Sequence, residues 1–375
     1  MRPTWIEVDL DAVSANVASI AAAVAPAAMC AVVKADGYGH GDVPVAEAAV
    51  ASGAGWLAVA LLEEGVRLRE AGIEAPILLL SEPDVGDVGE LDAWRLTPTA
   101  YTAPFVAALA STAQDSGVTR DVHLKVDTGM HRVGADPMDV PGLADAVAAA
   151  PALRLAAVWT HFAVAEEDPE FTGVQIRRLE ETLATLAAAG HRPGLVHAAN
   201  TAGALGRDDA RYDLVRCGLG IYGMRPDPVI APDLELRPAM RVVSHVTMVR
   251  RLEAGERPSY GRRRPLPAAA TVATVPIGYA DGLPRQLSAL DGEVLIGGRR
   301  HPFAGTVTMD QIVVDVGDAP VQPGDEVVLL GEQGGDRITA EEWATRLGTI
   351  NYEVVCRFGP RLPRTYSSGA GRGLR

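Results

Sequence analysis

Eight short apolar runs, each followed by a stretch with helical spacing, constrain the fold of roughly the first 225 residues more than any other feature of the chain. The candidate strands are Cys30–Lys34, Trp56–Ala60, Pro76–Leu80, Leu96–Ala100, Val122–Asp127, Ala156–His161, Leu195–Asn200 and Leu214–Gly220. Helical patterns at 42–52, 62–71, 103–115, 137–149 and 169–189 lie between them, several stopped by glycine (Gly53, Gly72, Gly117, Gly190). Strand–helix units of about 30 residues predict a parallel sheet, and eight of them predict a closed (β/α)8 barrel of the TIM type. The rival is an open doubly wound sheet. It would carry G-x-G-x-x-G after its first strand, and none follows Lys34.

Near Pro226 the texture changes. A connector with Pro226, Pro228, Pro232 and Pro238 leads into short strand patterns at Arg241–Arg250, Thr271–Pro276, Gly292–Ile296, His301–Phe303, Gln311–Val316 and Glu326–Leu330. One helix is expected at 340–347, opened by Thr339 with Glu342 as its capping-box partner. The expected organisation is an α/β barrel over 1–235, a mainly β C-terminal domain over 236–366 and a disordered Gly/Ser/Arg tail over 367–375.

A formal net charge of −14 argues against nucleic acid, which needs clustered Lys and Arg. The runs Arg262–Arg264 and Arg372–Arg375 are short and read as solvated surface. The start Met1-Arg2-Pro3-Thr4-Trp5 lacks a signal-peptide pattern, and the alanine-rich stretch 17–33 is too short and weak for a bilayer span. Cys30, Cys217 and Cys356 are far apart and have no metal-ligand spacing, so reduced thiols and no metal site are expected. These features predict a cytoplasmic protein with no membrane or nucleic-acid partner.

Barrel enzymes gather reactive groups at the C-terminal strand ends. Lys34 ends the first candidate strand, Lys125 and Arg132 follow the fifth, and His161 ends the sixth. Asn200 and Thr201 end the seventh, while Arg216 lies in the eighth before Gly218 and Leu219. A lysine at a buried strand end is pushed toward the neutral amine that forms a Schiff base with an aldehyde, although alone it reads more readily as snorkelling to solvent. Loops after strands seven and eight commonly hold phosphate. Lysine, phosphate loops and a buried arginine together suggest pyridoxal 5'-phosphate.

Ordered motifs strengthen that expectation: Val33-Lys34-Ala35-Asp36-Gly37-Tyr38-Gly39-His40-Gly41, His123-Leu124-Lys125-Val126-Asp127-Thr128-Gly129-Met130, Thr160-His161-Phe162 and His197-Ala198-Ala199-Asn200. Ser259-Tyr260-Gly261-Arg262, Pro276-Ile277-Gly278-Tyr279-Ala280-Asp281-Gly282, Thr308-Met309-Asp310-Gln311 and Ile350-Asn351-Tyr352-Glu353 follow in order. Through these runs the chain resembles the alanine racemases, fold-type III pyridoxal-phosphate enzymes, over nearly its whole length. The resemblance implies Lys34 and Tyr260 as the two acid/bases, with Tyr260 entering the other subunit's site in a homodimer with shared active sites. It places Arg216 against the cofactor's ring nitrogen and His161 beside it. Tyr38, Asn200, Thr201, Gly218, Leu219 and Tyr352 fall on the phosphate side. Arg132, Met309, Asp310 and Tyr279 face the substrate, and Lys125 matches a lysine carbamylated in many relatives.

The expected function is interconversion of L- and D-alanine for peptidoglycan. Alternatives are a broader or serine-preferring racemase and a non-catalytic cofactor carrier; Arg216 disfavours a decarboxylase, which would resemble its family in carrying a carboxylate there. Thr201 stands where serine is usual, Cys217 where proline is common, and Thr308 where cysteine is common. His131 takes the place of a small or polar residue beside Arg132.

Overall fold

The computed structural model describes residues 2–368 and 371–374, which divide into two compact units. One comprises 12–37 and 42–237; the other comprises the chain start to Asp11, Tyr38–Gly41 and the chain from Pro238 onward. Strands are numbered in chain order, with β1 (Thr4–Asp9) in the second unit.

Eight parallel strands build the first unit: β2 (Ala28–Val32), β3 (Trp56–Val59), β4 (Ile77–Leu79), β5 (Thr99–Ala100), β6 (Arg120–Lys125), β7 (Leu153–Trp159), β8 (Leu195–His197) and β9 (Leu214–Cys217). Continuous pairing runs β4-β3-β2-β9 and β5-β6-β7-β8. The first seam is closed by the Thr97 N–H donating to Ile77 O (2.8 Å) and the Leu79 N–H to Thr97 O (3.0 Å). The second is closed by Asp213 N–H to Val196 O (3.1 Å) and Arg216 N–H to Ala199 O (3.0 Å). The result is the expected barrel. Most of its strand residues are buried because helices cover the outside. The helices Asp42–Ala51, Leu62–Glu70, Ala103–Ser116, Val140–Ala149 and Pro169–Ala188 occupy the periodic segments.

Several strands are shorter than their apolar runs. β2 ends at Val32, two residues before Lys34, and β9 ends at Cys217 because the chain turns at Gly218 into a short 3-10 helix, Leu219–Tyr222. His161 likewise lies two residues beyond β7. Lys34 instead starts a left-handed turn: Ala35, Asp36 and Gly37 have φ of 53°, 54° and 59°. Such backbone costs about 1–2 kcal/mol per non-glycine residue. The buried carboxylate of Glu64 offsets that cost. It accepts the Ala35 N–H at 2.6 Å, and the Ala60 and Leu61 N–H groups at 2.8 and 3.1 Å. A charged acceptor at the first turn of the helix after β3 thereby fixes the residue next to Lys34.

In the second unit, β10 (Met240–His245), β11 (Met248–Leu252), β12 (Ala270–Val275), β13 (Glu293–Ile296), β14 (Arg299–Pro302), β15 (Ile312–Gly317), β16 (Glu326–Gln333), β17 (Asp336–Ile338), β18 (Arg364–Ser368) and β19 (Gly371–Leu374) are the strands that join β1. The large sheet runs β14-β13-β16-β10-β1-β18-β19, and β11-β12-β15 form a smaller one. The helix Ala340–Leu347 begins at Thr339, whose Oγ1 accepts the Glu342 N–H at 3.1 Å.

Two expectations change here. The chain start was expected in the barrel domain, but β1 pairs antiparallel with β10 and parallel with β18, burying Ile6 and Val8 in the sheet. The tail was expected to be disordered from Ser367, but Ser367 and Ser368 belong to β18, with Gly371–Leu374 antiparallel beside it. Backbone pairing there supplies what polar side chains do not advertise. Gly369, Ala370 and Arg375 of that tail lie outside the described residues.

Glu64→Ala should destabilise the protein by about 1–2 kcal/mol, because it leaves three half-buried backbone N–H donors without their carboxylate acceptor. Urea unfolding measures it, and a loss below about 0.5 kcal/mol would show that the turn holds without the carboxylate.

Candidate active site

At the C-terminal end of the barrel the charges are mostly positive. Arg216 on β9 is only 3% exposed, yet it forms no ion pair among the described residues. Hydrogen bonds hold it instead. Nη1 donates to His197 Nδ1 (2.8 Å), and Nη2 faces Thr160 O (2.9 Å), Ala198 O (2.9 Å) and His161 Nδ1 (3.1 Å). Those contacts use one Nη1 hydrogen and both Nη2 hydrogens, leaving Nε–H and one Nη1–H for a ligand. Burial pulls the guanidinium down to about 10.

Lys125 at the end of β6 is also buried. Its Nζ donates to Leu80 O at 3.1 Å and sits 4.2 Å from the centre of the Trp159 ring. Arg216 Cζ lies 4.5 Å from the same ring, which also stacks on His197 at 5.2 Å. Burial first, then the charges of Arg216, Arg132 and Lys34, lower Lys125 to about 7. His161 falls well below its ordinary value, through burial and then Arg216. Since Arg216 can only donate, His161 accepts at Nδ1 and carries its hydrogen on Nε2. Arg132 is exposed on the following loop, beside His131, whose Nδ1 lies 3.3 Å from Asp127.

Thr201 opens the helix Thr201–Gly206, and its Oγ1 accepts the Gly218 N–H at 3.2 Å. Asn200 caps the same helix by accepting the Gly203 N–H at 2.9 Å. Gly218 therefore spends its N–H on Thr201, whereas Leu219 N–H has no partner among the described residues. A Cβ at Gly220 would approach Ile20 Cδ1 to 2.8 Å and Thr201 Cγ2 to 3.0 Å, so glycine lets the loop after β9 pack closely on those two side chains.

The remaining sequence-selected residues lie in the other unit. Tyr38 is buried, its ring centroid 6.0 Å from that of Tyr352, and burial raises its hydroxyl pKa well above the ordinary value. Tyr260 is 73% exposed in a short turn; its carbonyl accepts from Thr306 Oγ1 (2.8 Å). Tyr279 and the Met309–Asp310 loop form one patch, joined by Tyr279 N–H to Thr308 O (3.0 Å) and Ala280 N–H to Met309 O (3.1 Å). A Cβ at Gly278 would meet the Thr308 and Met309 carbonyls at 2.3 Å. Arg361 donates to Asp310 (2.7 Å), and buried Asp281 accepts two bonds from Arg2 (2.9 and 2.7 Å).

Sequence reasoning passed over Glu64, Trp159 and Gln175 as site builders. Buried Gln175 donates to Thr128 Oγ1 (3.2 Å) and His161 O (3.1 Å) and accepts from Ala163 N–H (2.9 Å), tying the loops after β6 and β7. Trp159 could have been found from its position two residues before His161; Gln175 on a helix could not.

The donor set fits pyridoxal phosphate. Lys34 supplies an amine, Arg216 a donor-only partner for a ring nitrogen, and Thr201 with Leu219 hydroxyl and N–H donors for phosphate. The buried positive charge also favours an anionic ligand. No group of His, Cys, Asp and Glu among the described residues is arranged to hold a metal ion.

The chain matches the alanine racemase N-terminal domain over 8–226 and the alanine racemase C-terminal domain over 239–366. It is 46% identical over 368 residues to alanine racemase of Symbiobacterium thermophilum, covering 98% of this chain and 97% of that protein. Alanine racemase from D-cycloserine-producing Streptomyces lavendulae superposes with a TM-score of 0.93 at 37% identity, over 98% of each chain. Histidine racemase from Leuconostoc mesenteroides shares the fold at 29% identity and a TM-score of 0.90, over 98% of this chain and 99% of that one. Matched along both domains and by relatives of nearly equal length, the chain belongs to the alanine racemase family.

Proposed function

We propose that this chain interconverts L- and D-alanine with pyridoxal phosphate, as a cytoplasmic homodimer that supplies D-alanine for peptidoglycan. The observation that carries the reading is the buried guanidinium of Arg216, held without a carboxylate partner at the mouth of the barrel. When bound, pyridoxal phosphate supplies an electrophilic aldehyde and a conjugated ring that acidify the α-hydrogen of an amino acid.

Lys34 Nζ would hold the cofactor's aldehyde carbon and then move a proton on one face of the α-carbon. Arg216 offers N–H hydrogens to the ring nitrogen. Because an arginine gives up no proton readily, Arg216 would leave the ring nitrogen unprotonated, an arrangement that would disfavour side reactions and favour direct proton return. Arg132 would pair with the substrate carboxylate or the cofactor's phenolic oxygen, and the Thr201 hydroxyl and Leu219 N–H would bind phosphate, with Asn200 and Gly218 shaping the two loops that carry them; Tyr38 and Tyr352 are phosphate-side positions by resemblance.

Inversion needs a second proton carrier on the opposite face. The assignment is Tyr260 of the partner subunit, with His161 Nε2–H available to hydrogen-bond its hydroxyl. The exposure of Tyr260, Met309 and Tyr279 supports a face covered by a second copy. Met309, Asp310 and Tyr279 would narrow the entrance toward a methyl side chain.

Lys125 is the candidate for carbamylation. A pKa near 7 gives a neutral amine able to take up carbon dioxide, and the carbamate replaces an ammonium beside Arg132 with an anion that orients it. The fold neighbour that acts on histidine keeps a second reading in view, a racemase of broader specificity.

Incubation with L-alanine in D2O, following D-alanine and α-deuterium together, tests the reading, with L-serine and L-histidine as comparators. Both products from alanine alone support it. Comparable rates on the other amino acids favour the broader racemase, and no exchange at all with cofactor bound favours a carrier.

Tyr260→Phe should slow exchange from one enantiomer by about 100-fold or more while the other direction suffers far less. Equal losses would remove its face-specific role. Intact-mass spectra under mild handling should show the added mass of one carbon dioxide, lost in Lys125→Gln; the modified fraction should rise with pH through about 7, as the amine sheds its proton. An unmodified chain across that range would refute the carbamate.

A further inference from the structure

Beyond Arg216, the hydrogen bonds continue into the barrel wall. His197 on β8 is fully buried, with its ring stacked on Trp159 at an interplanar angle of 14°. Its Nδ1 receives Arg216 Nη1–H at 2.8 Å, and its Nε2 lies 3.2 Å from Nδ1 of His123 on β6. His123 is also fully buried, 5.4 Å from the Trp56 ring, and its own Nε2 has no hydrogen-bond partner among the described residues.

Donor and acceptor roles along this chain are fixed by one end. Arginine has no acceptor, so Nδ1 of His197 must accept and its hydrogen must sit on Nε2. That hydrogen then needs an acceptor, and His123 Nδ1 is the group within reach. His123 is thereby forced into the tautomer whose Nε2–H is orphaned. A buried donor without a partner is costly, so an apolar residue would suit that position better unless the acceptor were needed. Burial pushes His123 down to about 4 and His197 well below its ordinary value, consistent with two neutral rings.

We propose that His123 is a positioning residue that locks the His197 tautomer and thereby holds Arg216 in its ligand-facing orientation. Without an acceptor at 123, His197 escapes its own orphaned Nε2–H by moving the hydrogen to Nδ1. Two donors then face each other across the Arg216–His197 contact, and the guanidinium swings away. Outer partners of a site group ordinarily act this way, by fixing tautomer and orientation.

The link to catalysis rests on the proposed racemase reading, but the tautomer itself does not. The test uses the holoenzyme with 15N-labelled histidine, wild type beside His123→Leu and His123→Asn; the Asn side-chain oxygen can replace His123 Nδ1 as acceptor. Wild-type spectra should show His197 protonated at Nε2 only. His123→Leu should shift it to Nδ1–H and lower kcat about 10–100-fold with KM for alanine little changed, while transamination side products rise. His123→Asn should restore both the tautomer and most of the rate. A wild-type His197 protonated at Nδ1 overturns the proposal even if no variant folds. Equal behaviour of the Leu and Asn variants, or an unchanged His197 tautomer in His123→Leu, also overturns it. A wild type with the expected tautomer but no racemisation would instead remove the racemase reading and leave the lock standing.

Discussion

A buried guanidinium with no carboxylate is the constraint around which the barrel mouth is organised. Taking Arg216 out of water is costly, and the usual remedy is an ion pair. Here two backbone carbonyls, two histidines and the face of Trp159 share the task. Neutral acceptors satisfy the donors without cancelling the charge. The same charge lowers the affinity of neighbouring groups for protons, which helps bring Lys125 down to about 7 and keep His161 and His197 neutral. A carboxylate in the same place would stabilise Arg216 better and would remove the field that favours an anionic ligand.

The left-handed turn after β2 is the second such compromise. Lys34 has to leave the strand abruptly, and Ala35 and Asp36 adopt backbone that only glycine takes cheaply. Glu64 makes that geometry stable by serving two segments at once, the turn after Lys34 and the start of the helix after β3. Strain is therefore placed beside the amine and compensated from the first turn of the helix after β3.

What could be read from sequence followed from periodicity and residue chemistry. Eight mainly apolar runs correspond to eight barrel strands, since a parallel strand covered on both faces buries most of its residues. The positions of Lys125 and Arg216 on strands and of Thr201 at the following helix start were legible, because polar residues at such places are rare and costly. β1 was not assigned to the β unit, because its partners, β10 and β18, lie more than 200 residues away and six alternating residues carry no label for their sheet. The order at Ser367 was hidden for a related reason: backbone pairing with β1 holds it, and serine advertises no strand.

Glu64, Gln175 and His123 were illegible for a different reason. Each is defined by which backbone or ring atoms surround it, and a helix-start glutamate or a strand histidine looks ordinary in a sequence. His123 shows the point most clearly. Alone it is a buried ring with an unsatisfied nitrogen, which reads as a packing defect. Its place at the end of a chain that starts from a donor-only arginine turns the defect into a requirement, since the hydrogen displaced from His197 Nδ1 must be carried on Nε2 and received there. The unsatisfied nitrogen is what remains when one end of a hydrogen-bonded chain can only donate.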